Sequence, residues 1–277
     1  MNLNELKQMY DFTGKTVMLT GGAGILAGEI ACAMFGCNAN IAIIDRDPAL
    51  AEPLMKRIEP VADRAIVVYG DVLDPGVMQR AVDQVLGVFG KIDILINAAG
   101  GNNPRATTNA STPFFDLPAD SIRFVSDLNL LGTIIPSQIV GKHMASRKEG
   151  VILNVSSMNA FRPLTRIAAY SAAKAAVSNF TQWLAVYMAQ EISPEIRVNA
   201  IAPGFFLTNQ NRFLLTDKET GQLTDRGKKI LDHTPMGRFG TPEDLLGAVL
   251  WLVSPASRFV TGIILPVDGG FSAYSGV

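Results

Sequence analysis

Tyr170 and Lys174 stand four residues apart in "AAYSAAKAAV", residues 168–177, among alanines and one serine. On a helix that spacing puts a phenol and an ammonium on one face, close enough to act on each other. A phenol with an ordinary pKa of about 10 is a poor base at neutral pH, and a cation within reach lowers it by roughly 1–3 units. The pair predicts an acid/base centre, although taken alone it also fits an ordinary helix surface. Thirteen residues earlier, Ser157 follows the apolar run "VILNV". It reads either as a turn serine or as a hydroxyl that bonds a carbonyl oxygen gaining negative charge. Together the three residues predict proton transfer to and from a carbonyl/alcohol oxygen.

A second constellation lies near the start of the chain. "TVMLTGGAGILAGEIA" (16–31) runs from an apolar strand through a glycine-rich turn into a helix, an arrangement that turns backbone N–H groups and a helix N-terminus toward a phosphate. Glycine-rich turns occur without ligands, so the weight rests on Asp45. It closes the next apolar run 21 residues after Gly24, near the offset of about 20 at which an acid meets the ribose hydroxyls of a dinucleotide. Its carboxylate would repel the extra phosphate of NADP, whereas Arg46 could accept it. NAD is expected, with NADP possible.

The elements that must position these groups can be read along the chain. Short apolar runs at 16–20, 41–45, 65–70, 92–100, 151–157, 197–204 and 262–270 alternate with helical periodicity at 24–36, 75–89, 119–147, 167–190 and 242–253. That alternation predicts an α/β fold, a doubly wound Rossmann-type parallel sheet of about seven strands with helices on both faces. Ser157 and Asp45 then fall at carboxyl ends of strands, where such folds bind ligands. No repeat or low-complexity linker divides residues 1–277, which read as a single domain. Residues 205–241 form a connection long enough to suggest a substrate lid.

Composition excludes several classes. The 277 residues are 48% hydrophobic with a formal net charge of −1. This balance gives no electrostatic reason to expect nucleic acid or an anionic membrane as partner, and a small molecule is the better expectation. Cys32 and Cys37 share one predicted helix, point in different directions and suit a reducing cytoplasm without a disulfide. No run of 18 apolar residues and no signal-peptide pattern is present, so a cytoplasmic protein is expected. No His/Cys/Asp/Glu spacing suggests a metal site.

Several separated motifs follow in a fixed order: "GDV" (70–72), "NAAG" (97–100), "NLLG" (129–132), "NVSS" (154–157), "YSAAK" (170–174) and "PGFFLT" (203–208). With these the chain resembles the short-chain dehydrogenase/reductase family over nearly its whole length. The resemblance implies that Tyr170 is the catalytic acid/base and Ser157 the carbonyl-orienting hydroxyl. It implies that Lys174 holds the nicotinamide ribose and lowers the Tyr170 pKa, and that Asn129 belongs to a water-linked proton relay. It places the cofactor against Gly21, Gly24, Ile25, Leu26, Asp45, Arg46, Asp71, Val72, Asn97, Ala98, Ala99, Gly100, Tyr170, Lys174, Pro203, Gly204, Phe206 and Thr208, and it implies a homotetramer. One departure stands out. The family's TGxxxGxG turn is "TGGAGILAG" here, with Ile25 and Ala27 where glycines are usual, so the turn is expected to leave the usual backbone path.

The long segment, the shifted glycines and the ending "PVDGGFSAYSGV" resemble the branch known as D-mannonate oxidoreductases or fructuronate reductases. A sugar acid needs many hydrogen bonds and one cation for its carboxylate. The loops expected near the site carry Asn102, Asn103, Asn159, Arg162, Arg166, Asn209, Gln210, Asn211, Arg212 and His233. Of these, Asn102, Asn159, Arg162 and Arg212 are the expected substrate-binding set. The implied reaction interconverts a keto sugar acid and its hydroxy acid, D-fructuronate and D-mannonate. Alternatives are a gluconate-type polyol acid, a 3-oxoacyl thioester, or a nucleotide-sensing protein without turnover.

Overall fold

The computed structural model describes residues 2–58, 62–207, 215–217 and 220–276. Seven strands form one parallel sheet: β1 (Thr16–Thr20), β2 (Asn40–Asp45), β3 (Ala65–Tyr69), β4 (Ile94–Asn97), β5 (Gly150–Val155), β6 (Ile196–Pro203) and β7 (Ile264–Val267), in the spatial order β3-β2-β1-β4-β5-β6-β7. The expected fold class is the observed one. Strand order reverses between β1 and β4, and the crevice outside the carboxyl ends of those two strands is where doubly wound folds take ligands.

Side-chain alternation sorts the core into two layers. Val17, Leu19, Ile41, Ile43, Ile94 and Ile96 face α2 (Ile25–Gly36) and a late helix, α9 (Leu246–Val253). Met18, Ala42, Ile44, Leu95 and Ile152 face α4 (Pro75–Phe89), α6 (Gly132–Arg147) and α7 (Ala168–Tyr187). The remaining helices are α1 (Leu3–Met9), α3 (Glu52–Ile58), α5 (Ala119–Ser126) and α8 (Asp225–Asp232). Sequence periodicity did not single out α1, α3 or α8, each only seven or eight residues long. Local chemistry sets element ends. In "DPG", the Asp74 carboxylate accepts the Val77 N–H, Pro75 opens α4, and Gly90 closes it in the left-handed region at φ 75°.

The predicted helix 119–147 is interrupted. Residues Asp127–Leu131 form a π-turn between α5 and α6, in which the Gly132 N–H reaches back five residues to the Asp127 carbonyl. Asn129 sits inside this turn, fully buried. Single π-turns within helices often mark functional sites.

At the opposite, amino-terminal edge of the sheet, Asp93 gathers charge. Its carboxylate accepts the Thr16 N–H (2.9 Å) and the Arg147 guanidinium (2.8 Å), with Lys15 and Lys91 at 3.6 and 3.4 Å. Burial pushes its pKa up, but the Thr16 amide and these cations outweigh burial and leave it below the ordinary value. A lowered folded-state pKa means that the stabilisation is complete above the unfolded carboxyl pKa and is lost as pH falls through the folded value. Asp93→Asn is therefore expected to destabilise the fold by about 1–3 kcal/mol at neutral pH. Urea melts should show that difference shrinking as pH is lowered below about 4.

Candidate active site

The site is assembled at the carboxyl ends of β1, β4, β5 and β6. The turn after β1 begins at Gly21, whose φ is +60° and whose Cα lies so near the next strand end that an added Cβ would sit 2.7 Å from Ala99 Cα. Only glycine fits there. Gly24 caps α2, which begins at Ile25, so the strand–turn–helix arrangement persists with Ile25 and Ala27 in place of the usual glycines. Asp45 braces this turn. One carboxylate oxygen accepts the Ala23 N–H at 3.2 Å and the other accepts the Asp47 N–H at 3.1 Å.

A cleft runs from this turn across the sheet end, lined by Gly21, Gly24, Ile25, Leu26, Ala98, Gly100, Gly204 and Phe206. Other expected cofactor residues are placed differently. The Asn97 side chain is turned into the core, where it donates to Ser137 and Asn154, and Ala99 packs toward the same layer, so near the cleft these two contribute only backbone. Asp71 accepts the Leu73 N–H, Val72 packs on Gly132, and Arg46 is exposed beside Asp45. Pro203 is buried in β6, while Gly204 approaches Asp268 so closely that an added Cβ would lie 2.6 Å from the aspartate Cβ. Thr208 lies outside the described residues.

Lys174, only 4% exposed, donates to the Val155 carbonyl at 2.8 Å, and its Nζ is 5.7 Å from the centre of the Tyr170 ring. Gly100 lies between Lys174 and Asn129. A Cβ on it would be 3.2 Å from Lys174 Nζ and 2.7 Å from Asn129 Oδ1. Asn129 is held in turn by donating to the carbonyls of Gly101 and Val125 (both 2.8 Å) and accepting the Gly101 N–H. Ser157 follows β5, caps a short 3-10 turn and hydrogen-bonds Tyr170. The structure thus brings Asn129, Ser157, Tyr170 and Lys174 together from three elements.

Electrostatics correct one expectation. The spacing of Lys174 predicts a lowered Tyr170 pKa, but burial raises it, and the Ser157 hydroxyl opposes this only in part. The ammonium is directed at the Val155 carbonyl, and burial brings its own pKa down to about 8. The phenol therefore holds its proton at neutral pH. Sequence reasoning missed Ser156, which clamps this geometry: its hydroxyl donates to the Lys174 carbonyl (3.1 Å) and contacts Ser178 Oγ (2.7 Å).

Two loops carry the expected substrate residues that are described. The Thr108 N–H donates to the Arg166 carbonyl (2.9 Å), joining loop 101–109 to loop 158–167. Within them Asn102 donates to Thr107, Asn103 caps a short turn, Asn159 accepts the Leu164 N–H, and Arg162 is exposed. Asn209, Gln210, Asn211 and Arg212 lie outside the described residues. His233 closes α8 and packs near the rings of Phe271 and Tyr274 in the C-terminal tail. The base of segment 205–241 is pinned where Leu207 and Gly240 exchange backbone bonds with Gly240 and Phe205.

The family described as enoyl-(acyl carrier protein) reductase matches residues 22–272. This chain is a short-chain dehydrogenase/reductase. An oxidoreductase of Haemophilus influenzae without an assigned substrate is 47% identical over 97% of this chain and 96% of its own length. A 2-dehydro-3-deoxy-D-gluconate 5-dehydrogenase from Dickeya dadantii is 32% identical over 95% of this chain and 98% of its own. Among solved structures, a provisionally named D-mannonate oxidoreductase from Haemophilus influenzae with bound NAD superposes with a TM-score of 0.91 at 47% identity, covering 98% of this chain and 100% of that one. The chain is accordingly an oxidoreductase acting on CH–OH groups. Among the described residues, no helix is long and apolar enough to cross a membrane, and no group of three or more His, Cys, Asp or Glu is placed to hold a metal.

Proposed function

We propose that this short-chain dehydrogenase/reductase is an NAD-dependent enzyme that interconverts D-fructuronate and D-mannonate. The observation that carries the reading is the convergence of Asn129, Ser157, Tyr170 and Lys174 beside the glycine-lined cleft. The cleft fits a dinucleotide. Gly21 and Gly24 keep the first turn free of side chains, and Asp45 stands where a ribose would present its hydroxyls. Gly100, Gly204 and Phe206 line the far end of the cleft and would hold the nicotinamide there. The bound nicotinamide supplies or accepts the hydride.

The chain's own residues handle the oxygen and its proton. Ser157 orients the substrate carbonyl, and Tyr170 gives up its phenolic proton as the oxygen gains charge. Because burial keeps that proton on the phenol, the resting site is poised for reduction. Lys174 would hold the nicotinamide ribose with the same ammonium that now reaches Val155, and Asn129, held by the Gly101 and Val125 carbonyls, would order the path by which Tyr170 regains its proton. Asn102, Asn159, Arg162 and Arg212 meet the sugar acid under the lid 205–241, with Arg212 or Arg162 on the carboxylate. The Haemophilus structure with NAD and the sugar-acid dehydrogenase of Dickeya support this substrate class. The exposed, stacked rings of Trp183 and Tyr187 on α7 support assembly of copies of the chain into a homotetramer, which sedimentation measures directly.

The deciding assay follows nicotinamide absorbance with D-mannonate or D-gluconate and NAD or NADP. Turnover of mannonate with NAD at a kcat/KM at least tenfold above gluconate is expected. Preference for gluconate would move the assignment to the polyol acids and leave the acid/base roles standing.

A further inference from the structure

The described core contains a polar chain directly beneath the site. Asn97 and Asn154 are register partners on β4 and β5, and Asn97 Nδ2 donates to Asn154 Oδ1 at 2.9 Å. The same Nδ2 donates to Ser137 Oγ on α6 (2.9 Å), and Ser137 donates to the Thr133 carbonyl (2.7 Å). Thr133 donates to the Asn129 carbonyl at 2.8 Å. On the other side Asn154 Nδ2 donates to Thr181 Oγ1 on α7 (2.9 Å), which donates to the Val177 carbonyl. All five side chains are at most 1% exposed.

Asn154 is the link from the strands to α7, because its amide accepts from Asn97 on β4 and donates to Thr181 on α7. These elements, with α6, carry the groups at the site. Asn97 precedes Ala98–Gly100, Asn154 precedes Ser157 by three residues, Ser137 is two turns beyond Asn129, and Thr181 is two turns beyond Lys174 on the same helix face. Apolar side chains would fill this layer without needing partners. A fully buried hydrogen-bonded chain instead fixes how the elements are seated on one another. We propose that Asn154, acting through Thr181, is a positioning residue that sets the distance of Tyr170 and Lys174 from Ser157. Neither Asn154 nor Thr181 lines the cleft.

The inference rests on the acid/base roles given above but not on the identity of the sugar acid. The test compares Thr181→Val, which keeps the shape and removes the acceptor, with Thr181→Ser, which keeps the hydroxyl. Asn154→Leu serves as a third variant if it folds. Two measurements are made. One is the kcat/KM split with the preferred substrate of the wild-type enzyme. The other is the titration of Tyr170, read without substrate as the difference in tyrosinate absorbance between each protein and its Tyr170→Phe counterpart. Thr181→Val should lower kcat about tenfold with little change in KM. It should also bring the Tyr170 titration down toward the ordinary value of about 10, because a loosened site admits water to the phenol. Thr181→Ser should restore both. A wild-type titration in Thr181→Val overturns the proposal even if no tested alcohol is turned over, and so does an equal loss in Thr181→Val and Thr181→Ser.

Discussion

Tyr170→Phe is expected to lower turnover by roughly 10²–10⁴-fold, the range over which a positioned proton donor contributes. The ring is kept, so the packing of Tyr170 against Ala106, Val125 and Ala169 is preserved. The cleft is lined by other residues, and NADH binding measured by fluorescence should stay within a few-fold of wild type. Loss of the hydroxyl also removes the hydrogen bond with Ser157. Ser157→Ala alone should therefore be milder in its effect on proton transfer, although it should raise KM through the lost carbonyl contact. A Tyr170→Phe enzyme with normal turnover would move the proton donor elsewhere and remove the basis of the proposed mechanism.

Lys174→Met should abolish most activity and yet make the protein more stable at neutral pH. Lys174 is almost wholly buried, its visible partner is one carbonyl, and burial brings its pKa down to about 8. In the unfolded chain a lysine titrates near 10.4. Between those values the unfolded state binds the extra proton, so the destabilising effect of the buried ammonium is complete at neutral pH, declines as pH rises from about 8, and is gone above the unfolded pKa. Methionine has a similar length and no charge, but it leaves the Val155 carbonyl without its donor. The balance is a gain of about 1–2 kcal/mol at neutral pH, shrinking in denaturant melts repeated in alkali. Turnover should drop at least about 10²-fold. If Lys174→Met were less stable than wild type at neutral pH, the bond to Val155 would outweigh desolvation. Such a trade, in which a site residue costs stability, is common where function needs a buried charge.

The sheet was legible because its strands read as continuous apolar runs that alternate with helical periodicity, and because the glycine turn after the first run leads into a helix. Strand order was not, since apolar runs carry no label for their neighbours. At the site, Tyr170, Lys174 and Ser157 could be linked from spacing and strand position. The direction of the Tyr170 pKa shift could not, because desolvation and the aim of the ammonium depend on packing that spacing does not encode. Asn97 opens "NAAG", which the family resemblance places against the cofactor, whereas alternation along β4 turns its side chain into the core. The signal for its true surroundings was present in "VILNV", where a lone asparagine interrupts an apolar strand and implies a polar partner within the core.

The π-turn at Asp127–Leu131 makes residue count matter here as much as residue identity. One surplus residue in a helix turns everything beyond it by about 100° relative to an uninterrupted α-helix. The stretch before it can therefore face the loop over the site while the stretch after it faces the sheet. Removing one residue from the turn would let the backbone relax to a plain α-helix, swinging Asn129 or its successor off the axis that Gly101 and Val125 now define. Alignments that place a gap at this point would thus separate working enzymes from chains that keep every side chain of the site and still lack its geometry.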